Sequence, residues 1–154
     1  MSELKAPPRG WKAKLWRAPI WLYRWNLGFL LGNRFLLLNH TGRKSGLPRQ
    51  AVIEVIDHDE KTYYAASGFG EKAQWYQNII ATPEVSIEVG GKSYAARAER
   101  LPYEEAKTVL KEYAKKHARS LREISRMVGL SYDGSEESLE NLVGLLPIIA
   151  FHID

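Results

Sequence analysis

Three cations, Arg43, Lys44 and Arg49, crowd into one short segment, Gly42-Arg43-Lys44-Ser45-Gly46-Leu47-Pro48-Arg49, beside the hydroxyl of Ser45. Arginine forks and serine hydroxyls suit phosphate or carboxylate oxygens, and glycines let backbone amides face such a ligand. The chemistry on offer is anion binding. The spacing is not that of a nucleotide phosphate loop, because no Gly-x-x-x-x-Gly-Lys-Ser/Thr pattern opens a helix here. A solvated basic hairpin has the same composition, so the segment alone leaves both meanings open.

Equipment for other chemistry is sparse. The chain has no cysteine, which excludes disulfides, thiolate metal sites and cysteine nucleophiles. His40, His58, His117 and His152 lack the close pairing of metal ligands, and no metal site is expected. Ser67 in Ser-Gly-Phe-Gly has no glycine two residues before it, so it is not a nucleophile elbow. Asp57 and Asp59 fall in a polar turn that explains them without catalysis. A chain so poorly furnished with acids and bases needs a cofactor for difficult chemistry.

The elements around the basic segment are mostly strands. Phe35-Leu36-Leu37-Leu38 precedes it and Ala51-Val52-Ile53-Glu54-Val55-Ile56 follows it, a strand–turn–strand pattern. Residues 62–67 form a third strand ending in Gly68-Phe69-Gly70, where glycines let backbone pass close to a ligand. Helical spacing over residues 71–80 carries Trp75, Tyr76 and Ile79, and Ala81-Thr82-Pro83 stops it. Val85, Ile87 and Val89 alternate with polar residues, and Gly90-Gly91 turns tightly into a fifth strand over residues 93–101. Three helices are expected next, over residues 102–116, 120–129 and 135–144, each opened by proline, a capping box or acidic residues. A buried sixth strand closes the chain over residues 147–153. The pattern predicts an α+β domain, mainly β, built as a small antiparallel barrel.

At 154 residues the chain has the size of a single domain, and no linker divides it. Its net charge of +4 and pI near 9.3 favour an anionic partner. Residues 1–34 concentrate that charge, with seven Lys or Arg against Glu3, and they hold Trp11, Trp16, Trp21 and Trp25. Residues 1–18 form a basic, Trp-rich extension, and a helix is expected from Pro19 to about Gly28. Its aromatic face suits covering an end of the barrel. Peripheral membrane contact through residues 1–34 is the alternative, and a nucleic-acid partner is not expected. No secretory signal and no apolar run of about 20 residues is visible, so a cytoplasmic protein is expected.

Leu36-Leu37-Leu38-Asn39-His40-Thr41-Gly42-Arg43-Lys44-Ser45-Gly46, with Pro48-Arg49, resembles the signature of the deazaflavin-dependent nitroreductase family. Ser67-Gly68, Trp75-Tyr76-x-Asn78 and Ala81-x-Pro83 resemble its second signature, and Pro147-Ile148-Ile149 its closing strand. The resemblance implies a split β-barrel with six antiparallel-rich strands and with N-terminal and C-terminal helices packed around it. It also implies coenzyme F420, a hydride-carrying deazaflavin with a phosphate and an acidic oligoglutamyl tail. By position, Gly42, Arg43, Lys44, Ser45 and Arg49 bind phosphate and tail oxygens. Gln50, Ala51 and Val52 then pass beside the ring, and Ser67 and Gly68 line the opposite wall. Trp75 and Asn78 close the pocket, with Lys72 as an extra cation.

The implied activity is that of an F420-dependent reductase, passing a hydride to a small electron-poor acceptor such as a quinone, enone or nitro compound. The catalytic proton donor is unknown; Tyr113 and Tyr132 are candidates for an aromatic hydroxyl at the substrate. An FMN-binding split-barrel oxidase would need less positive charge, and a non-enzymatic membrane-peripheral cofactor or lipid carrier would use the N-terminal segment. Strand edges in such a barrel need cover, which a homodimer would supply, and the family resemblance points the same way.

Overall fold

A computed structural model of the chain describes residues 34–127 and 129–154. The expected N-terminal helix and the basic extension lie outside the described residues. Six strands are present: β1 (Phe35–Thr41), β2 (Pro48–His58), β3 (Thr62–Ala66), β4 (Glu84–Val89), β5 (Lys92–Arg100) and β6 (Ile148–Ile153). They close into a barrel in the order β1-β2-β3-β6-β5-β4, with β4 returning to β1 and every pairing antiparallel. Three α-helices accompany them among the described residues: α1 (Gln74–Ala81), α2 (Tyr103–Met127) and α3 (Glu136–Leu145). The expected α+β barrel is the observed architecture.

Alternation decides what fills the barrel. Leu36 and Leu38 of β1, Ile53 and Val55 of β2, Ile87 and Val89 of β4 and Ala96 and Ala98 of β5 share one interior cluster. Tyr76 and Ile79 of α1 join it and so stop one end of the barrel. A second cluster packs α2 and α3 on the outer surface through Leu110, Leu121, Leu139 and Leu142. The apolar run of β6 serves both: Ile149 and Phe151 face the interior, while Ile148 and Ala150 face the helices. A strand covered on both faces has no reason to alternate with polar residues.

Several boundaries depart from expectation for physical reasons. β2 begins at Pro48, because Thr41↔Pro48, His40↔Arg49 and Asn39↔Gln50 extend the ladder beyond the apolar residues. Arg49 and Gln50 are therefore strand residues. The helix expected over residues 71–80 is two pieces, a 3-10 turn (Gly70–Lys72) and α1, separated by Ala73 in an extended conformation. The two helices expected over residues 102–129 are merged as α2, but His117 (φ −139°, ψ 45°) breaks the helical path between them. Ser135 caps α3 by accepting from the Ser138 amide, as its sequence position suggests. Gly90 and Gly91 both take positive φ, which fits the tight β4–β5 turn.

Candidate functional site

The ladder registers bring the exits of β1, β3 and β5 and the entrances of β2, β4 and β6 to one end of the barrel. The end stopped by α1 also carries the basic turn. Within the turn, the Gly42 amide donates to the Leu47 carbonyl at 2.9 Å, and the Gly46 amide donates to the Gly42 carbonyl at 2.8 Å. Ser45 Oγ accepts from the Leu47 amide at 3.2 Å. A Cβ at Gly42 would stand 2.6 Å from Ser45 Oγ, so a side chain there would force that hydroxyl to move. Among the described residues, no acceptor meets the amides of Lys44 and Ser45. Two open amides between cationic side chains form a ready anion cradle.

Arg43 is fixed from α1. Asn78 Oδ1 accepts from the Arg43 amide at 3.1 Å and from its guanidinium at 2.9 Å, and Gln74 Oε1 accepts from the same Nη1 at 3.0 Å. The amide nitrogen of Asn78 in turn lies 3.1 Å from His40 Nδ1. Both Asn78 and His40 are buried, at 5% and 7% exposure. Burial and the nearby Arg49 guanidinium push His40 down to about 4, so its ring is neutral at physiological pH. Nδ1 of a neutral ring is free to accept from the Asn78 amide once the proton sits on Nε2.

Arg49, opposite His40 in the β1–β2 ladder, and Lys44 at the tip of the turn are exposed. Among the described residues, no carboxylate pairs with Arg43, Lys44 or Arg49. The next residues of β2 follow: Gln50 donates to Asn39 Oδ1 at 2.9 Å, and Ala51 and Val52 are half-buried. Ser67 is fully buried and its hydroxyl donates to the Gly70 carbonyl at 2.7 Å. Gly68 is partly accessible, Lys72 is exposed, and Trp75 packs part of its ring on the barrel cluster.

The structure thus gathers Gly42, Arg43, Lys44, Ser45, Arg49 and Asn78 around one turn. The part of Asn78 is to hold Arg43. His40, Gln74 and Asn39, which hydrogen-bond to Asn78, Arg43 and Gln50, are neighbours absent from the expected site residues. The polar side chain of His40 at an inward position, beyond Leu36 and Leu38, was the available signal.

The two tyrosines lie elsewhere. The Tyr113 hydroxyl donates to Glu54 Oε1 at 3.3 Å, and burial with the Glu54 charge pushes it up to about 12. Tyr132 is half-buried against the helical cluster, with no partner for its hydroxyl among the described residues. A groove of about 380 Å³ lies where Arg100, Tyr103, Ala106, Gly144 and Pro147 meet, apart from the basic turn. Arg100 itself is engaged by Glu71 at 2.6 Å and by the Tyr76 hydroxyl at 2.8 Å. Among the described residues, no cluster of three His, Asp or Glu could hold a metal.

A family model described as F420H(2)-dependent quinone reductase matches residues 16–127. The chain belongs to that family. A Mycobacterium tuberculosis (strain ATCC 25618 / H37Rv) protein, Rv3178, named as an F420H(2)-dependent quinone reductase, is 35% identical over 65 residues. The match covers 41% of this chain and 55% of that protein, so the chain spans about half the length of this relative. Among solved structures, an F420-H2 dependent reductase (FDR-A) superposes with a TM-score of 0.56 at 22% identity, covering 79% of this chain and 96% of that one. A second, described as a domain-swapped dimer, gives 0.56 at 21% identity, covering 88% and 100%. These likenesses establish the shared barrel of the family.

Proposed function

We propose that this quinone reductase family member binds reduced coenzyme F420 at the basic turn and delivers its hydride to a small electron-poor acceptor, a quinone before an enone or nitro compound. The observation that carries this proposal is the set of cations without carboxylate partners among the described residues, Arg43, Lys44 and Arg49, around two open backbone amides. A phosphate and an oligoglutamyl tail are the groups such a cradle fits, and the resemblance implies both for F420, the cofactor in the family's name. When bound, the deazaflavin supplies the hydride.

The residues of the chain supply the rest. Arg43, Lys44, Ser45 and Arg49 neutralise and position the phosphate and tail. Ala51 and Val52, with Gln50 held aside by Asn39, form a strand wall for the flat ring, and Gly68 with Trp75 form the facing wall, while the fully buried Ser67 holds the Gly70 carbonyl from behind. Their apolar surfaces exclude water, and orientation rather than a protein nucleophile is the contribution to rate. Lys72 adds positive charge near the tail. If a tyrosine serves the acceptor, Tyr132 keeps a hydroxyl available, whereas that of Tyr113 is committed to Glu54.

A homodimer is part of the proposal, supported by the domain-swapped dimer among the structural neighbours. No helix among the described residues is long and apolar enough to cross a membrane. Cytoplasmic placement fits that observation, and contact of residues 1–34 with a membrane surface is a separate question for liposome co-sedimentation.

The test is a fluorescence titration with purified F420, with FMN in parallel and Arg49→Ala as the control. F420 binding that the variant weakens about tenfold, and that salt weakens too, is the expected result. Binding of FMN alone would move the protein to the flavin oxidases, and binding of neither would overturn the proposal.

A further inference from the structure

Asn78 meets three donor or acceptor groups with one carboxamide. Its oxygen takes both the amide and the guanidinium of Arg43, so its nitrogen must face His40. That nitrogen has only hydrogens to offer, which requires an unprotonated Nδ1 on the imidazole. All three groups belong to different elements, with His40 on β1, Arg43 on the turn and Asn78 on α1. One tautomer of one ring thus satisfies the whole set.

We propose that His40 and Asn78 form a latch behind the basic turn, in which the imidazole holds the carboxamide in the one orientation that secures Arg43 for anion binding. His40 is a positioning residue and touches no ligand. The inference rests on the anion cradle of the proposed function, but not on the identity of the cofactor. Adding a proton to Nδ1 sets an N–H against the Asn78 NH₂. Rotating the carboxamide relieves that clash only by turning the NH₂ onto the amide and guanidinium of Arg43. Either arrangement faces donor with donor, so a single proton on His40 weakens the hold of Asn78 on Arg43 and leaves Gln74 as its other partner.

The charged surroundings of His40 reinforce the latch. Arg49 faces it from β2, Arg43 stands behind Asn78, and α1 presents the neutral Gln74 and Asn78. On β4, the other strand beside β1, Glu88 stands opposite Leu37, and Glu84, beyond the paired residues, is engaged by Arg97. Among the described residues, no carboxylate is placed to welcome a proton on this ring.

The probe is inorganic sulfate, whose charge is constant over the relevant pH range, followed by NMR shifts of the Lys44 and Ser45 amides. Wild-type affinity is expected to fall about twofold by pH 4, where half the His40 rings carry the proton, and to approach a tenfold loss at about pH 3, the cost of breaking one part-buried charge-assisted hydrogen bond. His40→Gln offers a carbonyl oxygen to Asn78 and does not titrate. Its affinity at pH 7 stays near that of the wild type, and its profile below pH 6.5 is flat. His40→Phe removes the acceptor and lowers affinity at every pH. Asn78→Asp presents an acceptor to Nδ1 and is expected to raise the pH at which the His40 ring signals titrate, a readout that needs no ligand.

A wild-type sulfate profile matching that of His40→Gln would overturn the latch, as would His40 ring signals that titrate alike in wild type and Asn78→Asp. Absence of sulfate binding by the wild type overturns it as well. Sulfate binding with an intact latch but no F420 binding would instead defeat the proposed function and leave the latch standing.

Discussion

Asn78 accepts two hydrogen bonds from Arg43, a residue 35 positions earlier in the chain, at 3.1 Å from the amide and 2.9 Å from the guanidinium. A buried carboxamide on the helix stopping the barrel thereby fixes the first cation of an exposed turn. Replacing it with alanine strands an amide, part of a guanidinium and the His40 nitrogen together. Asn78→Ala is expected to lower unfolding stability by about 2–3 kcal/mol, read from urea midpoints. F420 affinity should fall in the same variant, because Arg43 loses its fixed position. Unchanged affinity alongside lost stability would confine Asn78 to a packing role.

Gly42 gives a second prediction with a built-in control. A methyl group there meets Ser45 Oγ at 2.6 Å, and the hydroxyl escapes only by leaving the Leu47 amide. Gly42→Ala should cost about 1 kcal/mol, and Gly42→Ala with Ser45→Gly should recover part of that cost, a coupling measured by a double-mutant cycle. Strictly additive losses would show that the contact is not what restricts position 42.

Stability should depend on pH through His40. Burial and Arg49 hold it at about 4 in the folded protein, against 6.5 for an unperturbed histidine. The unfolded chain therefore takes up the proton first as pH falls. The contribution of His40 is complete above about pH 6.5 and is lost by about pH 4, amounting to about 3 kcal/mol at most. His40→Gln should lack this component of the stability profile. Asp133, held at about 2 by Ser135 and Ser138, acts in a lower window, between its usual range and pH 2, and does not mask the difference.

Tyr113 supplies a contrast between stability and activity. Its hydroxyl is engaged by Glu54 and is a weaker acid than a free tyrosine. Tyr113→Phe should cost about 1 kcal/mol of stability and leave the kcat of quinone reduction unchanged. A clear fall in kcat, with F420 affinity intact, would return Tyr113 to the acceptor site.

Much of the barrel was legible because its signals are local. Val85, Ile87 and Val89 announce β4 by alternation, Gly90-Gly91 announces the hairpin, and two-sided burial explains the run in β6. The cations of the turn were equally plain from composition. What pairs with them was not. His40 and Asn78 lie 38 residues apart, and no periodicity reports that a helix will descend onto the end of β1. Strand ends were hidden for a related reason, since Pro48, Arg49 and Gln50 extend β2 through backbone pairing that apolar patterning does not see. The break at Ala73 arises where the chain must bend from a 3-10 turn into α1 over the barrel mouth, a tertiary demand with no local mark.

Helix α1 and the turn before it are gripped from two directions, by Arg43 through Gln74 and Asn78, and by Arg100 through Glu71 and Tyr76. Both grips close long loops, so their entropy must be met before either contact contributes. During synthesis the β1–β2 hairpin emerges early, yet it carries only loose charges. Both grips on α1 and its preceding turn form once residues through Arg100 have been made and docked. The proposed anion site is thus set by contacts that reach as far as Arg100, and a nascent fragment ending before it is expected to bind F420 more weakly, while closure of the barrel waits for β6 between β3 and β5.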